Sequence, residues 1–333
     1  MSISDAVSSD IPKCNLAICV PVFNDWNSVS VLLGQLYRAT QQLHGACVVH
    51  SIQVVLVDDG STDSLEPASL QANGVSVRVL HLTRNVGHQR AIAIGLAAIA
   101  QEIDCDAVVV MDGDGEDDPA HIPALLGELF RNDSHAVVFA QRSRRTEGLK
   151  FRLGYLCFRV LHWALTGKPC DVGNFSAIPA MRLKRLVCSS ELWIHYAAAV
   201  ACSRLPVAKV PCDRGRRYAG HSHMKVTSLV VHGLSAISVF SETVGVRICL
   251  ALGIASGLTV VSLVTALYLR FMTTLAIPGW ATSAVGLLLI LMANLLLLTL
   301  NSVLMILGAR NNVSFIPSRD WTAFVSDWTM IND

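Results

Sequence analysis

The feature that most constrains this chain is a pair of long uncharged stretches near its C-terminal end. Ile248–Leu269 contains 22 residues without a charge, and Phe271–Ala309 contains no charge either. As a helix that rises about 1.5 Å per residue, the first stretch would span about 33 Å, enough for a hydrocarbon core of about 30 Å. The sequence therefore predicts two transmembrane helices, over 248–270 and 281–308. A hairpin buried in a large soluble core is the alternative.

The residues that flank these stretches predict how the chain meets a membrane. Ile277-Pro278-Gly279-Trp280 predicts a short turn with an interfacial Trp. Residues 1–14 contain two acids and no apolar run, so we expect no signal peptide and a cytoplasmic N-terminal region. Arg310 and Arg319 follow the second stretch, and by the positive-inside rule they place the C-terminus on the same cytoplasmic side. The net charge of +1 gives no reason to expect nucleic-acid binding.

Short aliphatic runs alternate with helical patterns through residue 140. The candidate strands are Leu16–Phe23, Ile52–Asp58, Val75–Leu82, Asp106–Met111 and Ala136–Ala140, and the candidate helices are Asn27–Leu43, Gly87–Ala100 and Pro119–Arg131. This alternation predicts an α/β fold, a mostly parallel sheet covered on both faces. In such folds ligands bind beyond the carboxyl ends of the strands.

The fourth candidate strand runs into a cluster of acids, in the sequence VVVMDGDGEDDP at 108–119. If the chain stays extended past Met111, Asp112, Asp114 and Glu116 project to one side, because side chains in a strand repeat with period two. Carboxylate oxygens suit Mg²⁺ or Mn²⁺, which would complete its shell with water and substrate phosphates. A solvated acidic turn is the alternative.

Polar residues follow the other candidate strands as well, and four polar strand ends in succession indicate a single cleft. These residues are Pro21, Asn24 and Asp25, then Asp58, Asp59, Gly60 and Ser61, then Arg84, Asn85, Val86, Gly87 and His88. His88 begins a candidate helix, where the positive helix end favours phosphate. A structural His at the surface is the alternative for that residue.

Two basic stretches precede the membrane segments, and their cations could bind phosphate or the anionic leaflet. They contain Arg142, Arg144, Arg145 and Lys150, then Arg214, Arg216, Arg217 and Lys225. Val226–Val244 follows with apolar residues at helical spacing, which predicts an amphipathic helix at the membrane surface. A buried core helix with the same pattern is the alternative.

Four sequence motifs, in this order, resemble the signatures of family 2 glycosyltransferases with the GT-A fold. They are VPVFND at 20–25, VDDGSTD at 57–63, RNVGHQRAIAIGL at 84–96 and MDGDGEDDPAHIP at 111–123. RRYAGHS at 216–222, followed by the amphipathic stretch and two spans, is similar to the polyprenyl-phosphate branch, which includes dolichol-phosphate mannose synthase and bactoprenol glucosyltransferase. The resemblance covers about residues 15–308.

That resemblance implies an inverting enzyme that moves one sugar from a UDP- or GDP-linked donor to undecaprenyl or dolichyl phosphate. It implies a base and ribose pocket of Pro21, Phe23, Asp25 and Asp59, and a metal site of Asp112, Asp114 and Glu116. The polar strand ends add Asp58, Arg84, Gly87, His88 and Asp112 to the expected nucleotide-sugar site. Arg142, Arg145, Arg217, Ser222 and Lys225 are the expected lipid-phosphate contacts. The residues expected to carry catalysis are Asp112, Asp114, Arg142 and Arg217.

The resemblance and the patterns together predict a domain plan. It consists of an N-terminal tail at 1–14, a GT-A domain at 15–225, a juxtamembrane amphipathic helix at 226–245, a two-helix anchor at 246–309 and a cytoplasmic tail at 310–333. We expect a homo-oligomer in the cytoplasmic membrane, with its catalytic domain in the cytoplasm. An enzyme that acts on another lipid or glycan acceptor, and a catalytically silent GT-A partner subunit, are the two rival interpretations.

Overall fold

A computed structural model describes residues 13–41, 48–63, 75–131, 135–142, 149–169, 171–218, 226–273, 279–311 and 314–332. They form two compact units. The first unit comprises the described residues of Met1–Arg159, Lys168–Val239 and Ser314–Asp333, and the second those of Val160–Gly167 and Phe240–Val313.

The strands are β1 (Lys13–Val22), β2 (Val48–Asp58), β3 (Ser76–Leu82), β4 (Ala107–Val110), β5 (Val137–Arg142), β6 (Ser176–Pro179), β7 (Val207–Cys212) and β8 (Val325–Asn332). The helices are α1 (Trp26–Gln41), α2 (His88–Glu102), α3 (Ile122–Arg131), α4 (Leu149–Thr166), α5 (Ala180–Leu186), α6 (Tyr196–Cys202), α7 (Val226–Ser238), α8 (Ser241–Met272), α9 (Trp280–Asn311) and α10 (Pro317–Asp320). Short 3₁₀ turns lie at Pro119–His121, Ser190–Trp193 and Trp321–Phe324.

Within the described residues these strands form one mixed sheet in the order β7-β5-β6-β4-β1-β2-β3-β8. The pairs β1/β2, β1/β4, β2/β3 and β5/β7 are parallel, and the pairs β4/β6, β5/β6 and β3/β8 are antiparallel. The predicted mostly parallel α/β sheet is therefore confirmed. The carboxyl ends of β1, β2, β3 and β4 lie at the same edge.

Burial on both faces explains the aliphatic runs of the central strands. All four residues of β4, Ala-Val-Val-Val, are buried. In α3 the buried residues Ile122, Leu125, Leu126 and Leu129 recur at helical spacing and cover one face of the sheet. On the other face α2 packs closely, because a Cβ at Gly95 would lie 2.5 Å from the Val57 side chain. These layers hold the strand ends in place.

The C-terminal residues differ from the expected tail at 310–333. Residues 325–332 form β8, which pairs antiparallel with β3 and closes that edge of the sheet. This strand was not predicted, because its sequence, VSDWTMIN, has neither the aliphatic run of a buried strand nor a strict alternation of polar and apolar residues. Trp321, just before β8, is 3% exposed and anchors the segment in the core.

The second unit contains two helices that are long and apolar enough to cross a membrane. They are α8 and α9, each of 32 residues, and they pack against each other. Only 6% of the most apolar window of either helix is buried, unlike the core helix of a soluble protein. Both helices extend past the predicted spans, and residues 241–245, expected in the juxtamembrane helix, belong to α8. The turn residues 274–278 lie outside the described part of the chain.

The helix before these spans, α7, exposes part of its apolar face. Val230, Val231 and Leu234 are 56%, 62% and 56% exposed, whereas Ile237 is buried. The predicted helix is present over 226–238, so it ends earlier than expected. A second helix, α4, was not predicted and also exposes large apolar residues, including Trp163.

Candidate active site

The ends of β1 and β2 are joined by hydrogen bonds around Asn24. This residue has a φ of 51°, a conformation that Asn tolerates better than most residues. Its side-chain oxygen accepts bonds from the amides of Thr62 and Asp63 at 2.8 and 3.2 Å, and its own amide donates to the Ser61 hydroxyl at 3.0 Å. Phe23 beside it is 48% exposed. The network holds an open aromatic face at the carboxyl end of β1.

Asp59 ties the end of β2 to the loop before α2. Its two carboxylate oxygens accept hydrogen bonds from the amides of Val86 and Gly87, at 2.6 and 2.9 Å. Burial raises the pKa of the Asp59 carboxyl, although these amides act to lower it. Gly87 has a φ of 92°, which favours glycine. Asp59 thus fixes the loop that contains the predicted site residues Arg84 and Gly87 and that leads into His88.

Asp58, His81 and Thr329 form a chain of hydrogen bonds across β2, β3 and β8. His81 Nδ1 lies 2.9 Å from Asp58 Oδ2, and His81 Nε2 lies 3.1 Å from the Thr329 hydroxyl. The Ser61 amide donates to the other Asp58 oxygen at 2.9 Å. Burial raises the pKa of Asp58, but the bonds from His81 and Ser61 outweigh it and leave this pKa below its usual value. The hydrogen bond to Asp58 is the main cause that raises the pKa of His81.

The acid loop, residues 112–118, is a turn and not the extended segment on which the period-two argument rested. Asp117 Oδ2 accepts a bond from the Asp112 amide at 3.0 Å, and Asp114 Oδ1 accepts one from the Glu116 amide at 2.9 Å. Gly115 has a φ of 90°. The turn forms because short acidic side chains bond to nearby backbone amides and so compete with a strand.

A basic segment, residues 213–218, lies along the acid loop. The amides of Gly215 and Tyr218 donate to the carbonyl oxygens of Glu116 and Asp114, each at 2.9 Å. The Tyr218 ring packs so closely that a Cβ at Gly115 would lie 2.7 Å from it. Glycine is therefore required at position 115 both for its backbone angle and for this contact.

Two arginines of the basic segment pair with two acids of the loop. Arg217 Nη2 lies 2.9 Å from Asp114 Oδ2, and Arg214 pairs with Glu116. Burial raises the pKa of the Asp114 carboxyl, and Arg217 acts in the opposite direction. The sequence placed these cations and acids in separate motifs, about 100 residues apart, and the structure brings them together.

His88 faces the acid loop from the start of α2. Its Nε2 lies 3.3 Å from Asp112 Oδ1 and 2.9 Å from the side-chain amide of Asn174. Gln89 Nε2 donates to the Asn174 oxygen at 3.2 Å. Burial lowers the pKa of His88, but nearby carboxylates, first of all Asp112, leave it above its ordinary value. Asn174 was not among the predicted site residues.

A pair of histidines lies between α6 and α7 and was also missed. The Nε2 atoms of His195 and His232 are 3.2 Å apart, and His195 Nδ1 accepts from the Ala198 amide at 3.4 Å. Burial lowers the pKa of His232, and the charge of His88 lowers it further. The sequence did not predict this pair, because His195 and His232 are 37 residues apart and only the tertiary fold brings them together.

The remaining predicted residues are placed as follows. Pro21 lies within β1, Asp25 just precedes α1, and the Arg84 guanidinium carbon lies 5.8 Å from the Phe324 ring centroid. Arg142 ends β5, where its backbone is opposite Cys212. Arg145, Ser222 and Lys225, like Arg144, lie outside the described residues.

The acid loop offers the oxygen donors that a hard divalent cation needs. Asp112 and Asp114 keep 30% and 18% of their side-chain surface exposed at the strand ends. Throughout the described ranges, no three His, Cys, Asp or Glu side chains are grouped to hold a metal ion. Two carboxylates that keep part of their surface exposed suit an ion that completes its shell with water and a phosphate ligand, as Mg²⁺ does.

The family model described as "Glycosyl transferase family 2" matches residues 17–185, half of the chain. This match runs from within β1 to within α5 and includes the Asp58–Asp59 strand end and the acid loop. The chain belongs to glycosyltransferase family 2.

Curated relatives and solved structures agree with this family. Dodecaprenyl-phosphate galacturonate synthase from Rhizobium johnstonii is 28% identical over 231 residues, 68% of this chain and 64% of that protein. Undecaprenyl-phosphate 4-deoxy-4-formamido-L-arabinose transferase from Pseudomonas syringae is 33% identical over 136 residues, 40% of this chain and 37% of that protein. The matched region thus spans less than two thirds of either relative.

The fold of this family 2 glycosyltransferase also matches a solved enzyme. Glucosyl-3-phosphoglycerate synthase from Mycobacterium tuberculosis, in complex with Mn²⁺, UDP and glucosyl-3-phosphoglycerate, superposes with a TM-score of 0.50 at 17% identity. The superposition covers 70% of this chain and 80% of that one. The GT-A fold predicted from the four motifs is confirmed.

Proposed function

We propose that this membrane protein transfers one sugar, with inversion, from a UDP- or GDP-linked donor to polyprenyl phosphate. The observation that carries the proposal is the pairing of the acid loop with the basic segment. Carboxylates that would hold a cation lie beside guanidinium groups that would bind phosphate, which suits a reaction between a diphosphate and a phosphate. The names of the Rhizobium and Pseudomonas relatives support the same acceptor class.

The donor would bind at the carboxyl ends of β1 to β4. Phe23 offers an exposed aromatic surface to a base, and Asp25, Asp58 and Arg84 surround the same edge. The loop that Asp59 fixes ends at the N-terminus of α2, where backbone amides and the helix dipole favour a phosphate. Pro21, Gly87 and His88 complete the proposed donor site.

Asp112 and Asp114 would hold Mg²⁺ or Mn²⁺, and the presence of Mn²⁺ beside UDP in the Mycobacterium structure supports this proposal. When bound, the ion supplies Lewis-acid stabilisation to a diphosphate leaving group. Glu116 remains a proposed third ligand, and its pairing with Arg214 ties it to the basic segment. Arg217 would orient a phosphate bidentately, since a guanidinium fork matches phosphate geometry.

The acceptor phosphate is already ionised at neutral pH, so the reaction needs no strong general base. In the sequence Arg217 is followed by α7 and then by the two apolar helices, so the chain that would bind the lipid phosphate also carries the proposed membrane anchor. Arg142, Arg145, Ser222 and Lys225 remain proposed contacts of that headgroup. We propose a location in the cytoplasmic membrane with the catalytic unit and both termini in the cytoplasm, and a homo-oligomeric state.

The test is transfer of radiolabel from a panel of UDP- and GDP-sugars into organic-extractable lipid. Purified full-length protein, polyprenyl phosphate and Mg²⁺ or Mn²⁺ are incubated with and without EDTA, with Asp114→Asn as the loss variant. Asp118→Asn is the matched control, because it removes one charge from the same loop while Asn can still accept the bond from the Ala120 amide.

We expect acid-labile lipid label only with metal, from the wild type and the Asp118 variant. Label that persists in EDTA would refute the metal role. No label from any donor, with a folded protein, would refute polyprenyl phosphate as acceptor. A diacylglycerol and a soluble phosphoglycerate acceptor, tested in parallel, would then identify another acceptor class.

A further inference from the structure

The C-terminal segment, residues 314–332, pairs with β3, and its strand begins opposite Leu82, at the carboxyl end of β3 where the proposed donor site lies. It follows the two apolar helices in sequence, yet β8 pairs with β3 from Val77 to Leu82. The Thr83 amide donates to the Phe324 carbonyl oxygen at 2.9 Å, just where β3 ends. The loop before α2 therefore begins against this segment.

One contact of the segment reaches a buried carboxylate of the donor site. The Thr329 hydroxyl and Asp58 bind opposite nitrogens of the same imidazole, that of His81. Since the side chains of His81 and Asp58 are only 22% and 11% exposed, water is a poor substitute for either partner. A hydroxyl at position 329 thus fixes the plane of the ring, and the ring fixes the Asp58 carboxylate.

A second contact reaches the loop itself. Phe324 packs against Phe315 and Trp193, with ring centroids 5.5 and 5.2 Å away, and the Arg84 guanidinium lies over its ring. Trp193 in turn stacks with Phe315 at 3.8 Å. This aromatic cluster holds the Phe324 ring, which makes a cation–π contact with Arg84.

We propose that the C-terminal segment supports the nucleotide-sugar site from outside it. Thr329 and His81 would act as positioning residues for Asp58, and Phe324 as a positioning residue for Arg84. The proposal rests on the proposed function, which makes Asp58 and Arg84 donor contacts. A strand that served only to close the sheet edge would need backbone bonds alone. Here its side chains hold the two residues that would meet the donor.

The test measures binding of UDP and of GDP, each with Mn²⁺, to full-length protein by isothermal titration calorimetry. Thr329→Val removes the hydroxyl and keeps the shape, Thr329→Ser restores a hydroxyl, and Thr322→Val is the matched control at an exposed site of the same segment. We expect Thr329→Val to weaken binding about three- to tenfold, the usual cost of one lost hydrogen bond. The Ser variant and the Thr322 control should bind as the wild type does.

A donor titration in the transfer assay adds a second readout. The KM for the donor should rise in Thr329→Val while kcat stays within about twofold, because the hydroxyl would orient the bound nucleotide and not the reacting atoms. A protein that was merely less stable would instead lose active fraction, and kcat would fall.

A third measurement needs no variant. Hydrogen exchange of the β8 amides in the wild type should slow when UDP or GDP, whichever of the two binds, is added with Mn²⁺. Unchanged exchange, or equal affinity of wild type and Thr329→Val, would overturn the inference while the proposed function stands. Failure of the wild type to bind either diphosphate would refute the proposed function, and the inference with it.

Discussion

The two sides of the candidate site are built by different forces. On the proposed donor side Asp59 and Asp58 are buried and bind backbone amides and an imidazole. On the acceptor side Arg217 and Arg214 are 29% and 42% exposed and pair with carboxylates. Buried hydrogen bonds persist in salt, whereas exposed ion pairs are screened. We therefore expect the residues of the proposed donor side to keep their positions when a ligand binds. The arginines of the proposed acceptor side can exchange their carboxylate partners for a phosphate.

The acid loop lies between the two sides, and we expect the loss of its Asp114 carboxylate to have the largest effect on turnover. We expect Asp114→Asn to lower the transfer rate about a hundredfold to a thousandfold, because it removes a proposed metal ligand and the carboxylate that pairs with Arg217. The initial rate measures this, with melting temperature as the check on folding. A rate within fivefold of the wild type would show that Asp114 is not needed for catalysis.

The donor side should be the more sensitive to loss of a single buried carboxylate. We expect Asp59→Ala to destabilise the catalytic unit by about 2–3 kcal/mol, because the amides of Val86 and Gly87 lose their acceptors. The fall in melting midpoint measures the effect. Asp63→Ala, at an exposed carboxylate nearby, should change stability by less than about 0.5 kcal/mol. Equal effects of the two variants would contradict a donor side held by buried bonds.

The acceptor side should lose affinity and not stability. We expect Arg217→Ala to raise the KM for polyprenyl phosphate about tenfold, the value of one strong charge-assisted contact. Arg216→Ala removes the same charge from an exposed neighbour and should cost less than about threefold. Kinetics at two salt concentrations would sharpen the contrast, since salt should weaken acceptor binding more than donor binding. A KM change for the donor alone would reverse the assignment of the two sides.

The smallest expected effect is a dependence of stability on pH through His81. The pKa of His81 is raised above 6.5 in the folded protein, so the folded state binds this proton more tightly than the unfolded state. The His81–Asp58 pair therefore stabilises the fold fully at a pH below 6.5, and this stabilisation is lost as the pH rises through the pKa of His81 in the folded state. Asp58 stays ionised throughout, because its pKa is lowered from 3.8. The difference in the free energy of unfolding between wild type and His81→Asn should shrink by no more than about 1 kcal/mol when the pH is raised from about 5.5 to about 8. A difference that grows with pH would contradict this pairing.

Much of the donor side could be predicted because it depends on local patterns. Buried parallel strands are short aliphatic runs, and polar residues at their ends mark a cleft, so β1 to β5 and the acid loop were found within a few residues. The Asp58–His81 pair was not found, because it depends on strand register, which places these two residues opposite each other. A polar residue within an aliphatic run was the only signal.

The rest escaped prediction because it depends on contacts between distant residues. The antiparallel β6 has four residues, and β8 pairs with a strand some 240 residues earlier in the chain. The pairing of the acid loop with the basic segment rests on Gly115 and Gly215, whose small size matters only after the two segments meet. A period-two reading of the acids was wrong because it left out the backbone bonds of Asp114 and Asp117.

The position of β8 has a consequence for how the protein is made. Because β8 is translated after α8 and α9, the edge of β3 remains open while the ribosome delivers both apolar helices to the membrane. An open strand edge is a template for pairing with other chains. Nascent chains would thus pass through an interval of exposure to aggregation that ends only with the last residues of β8. A fusion partner attached after Asn332 would follow directly on that edge strand.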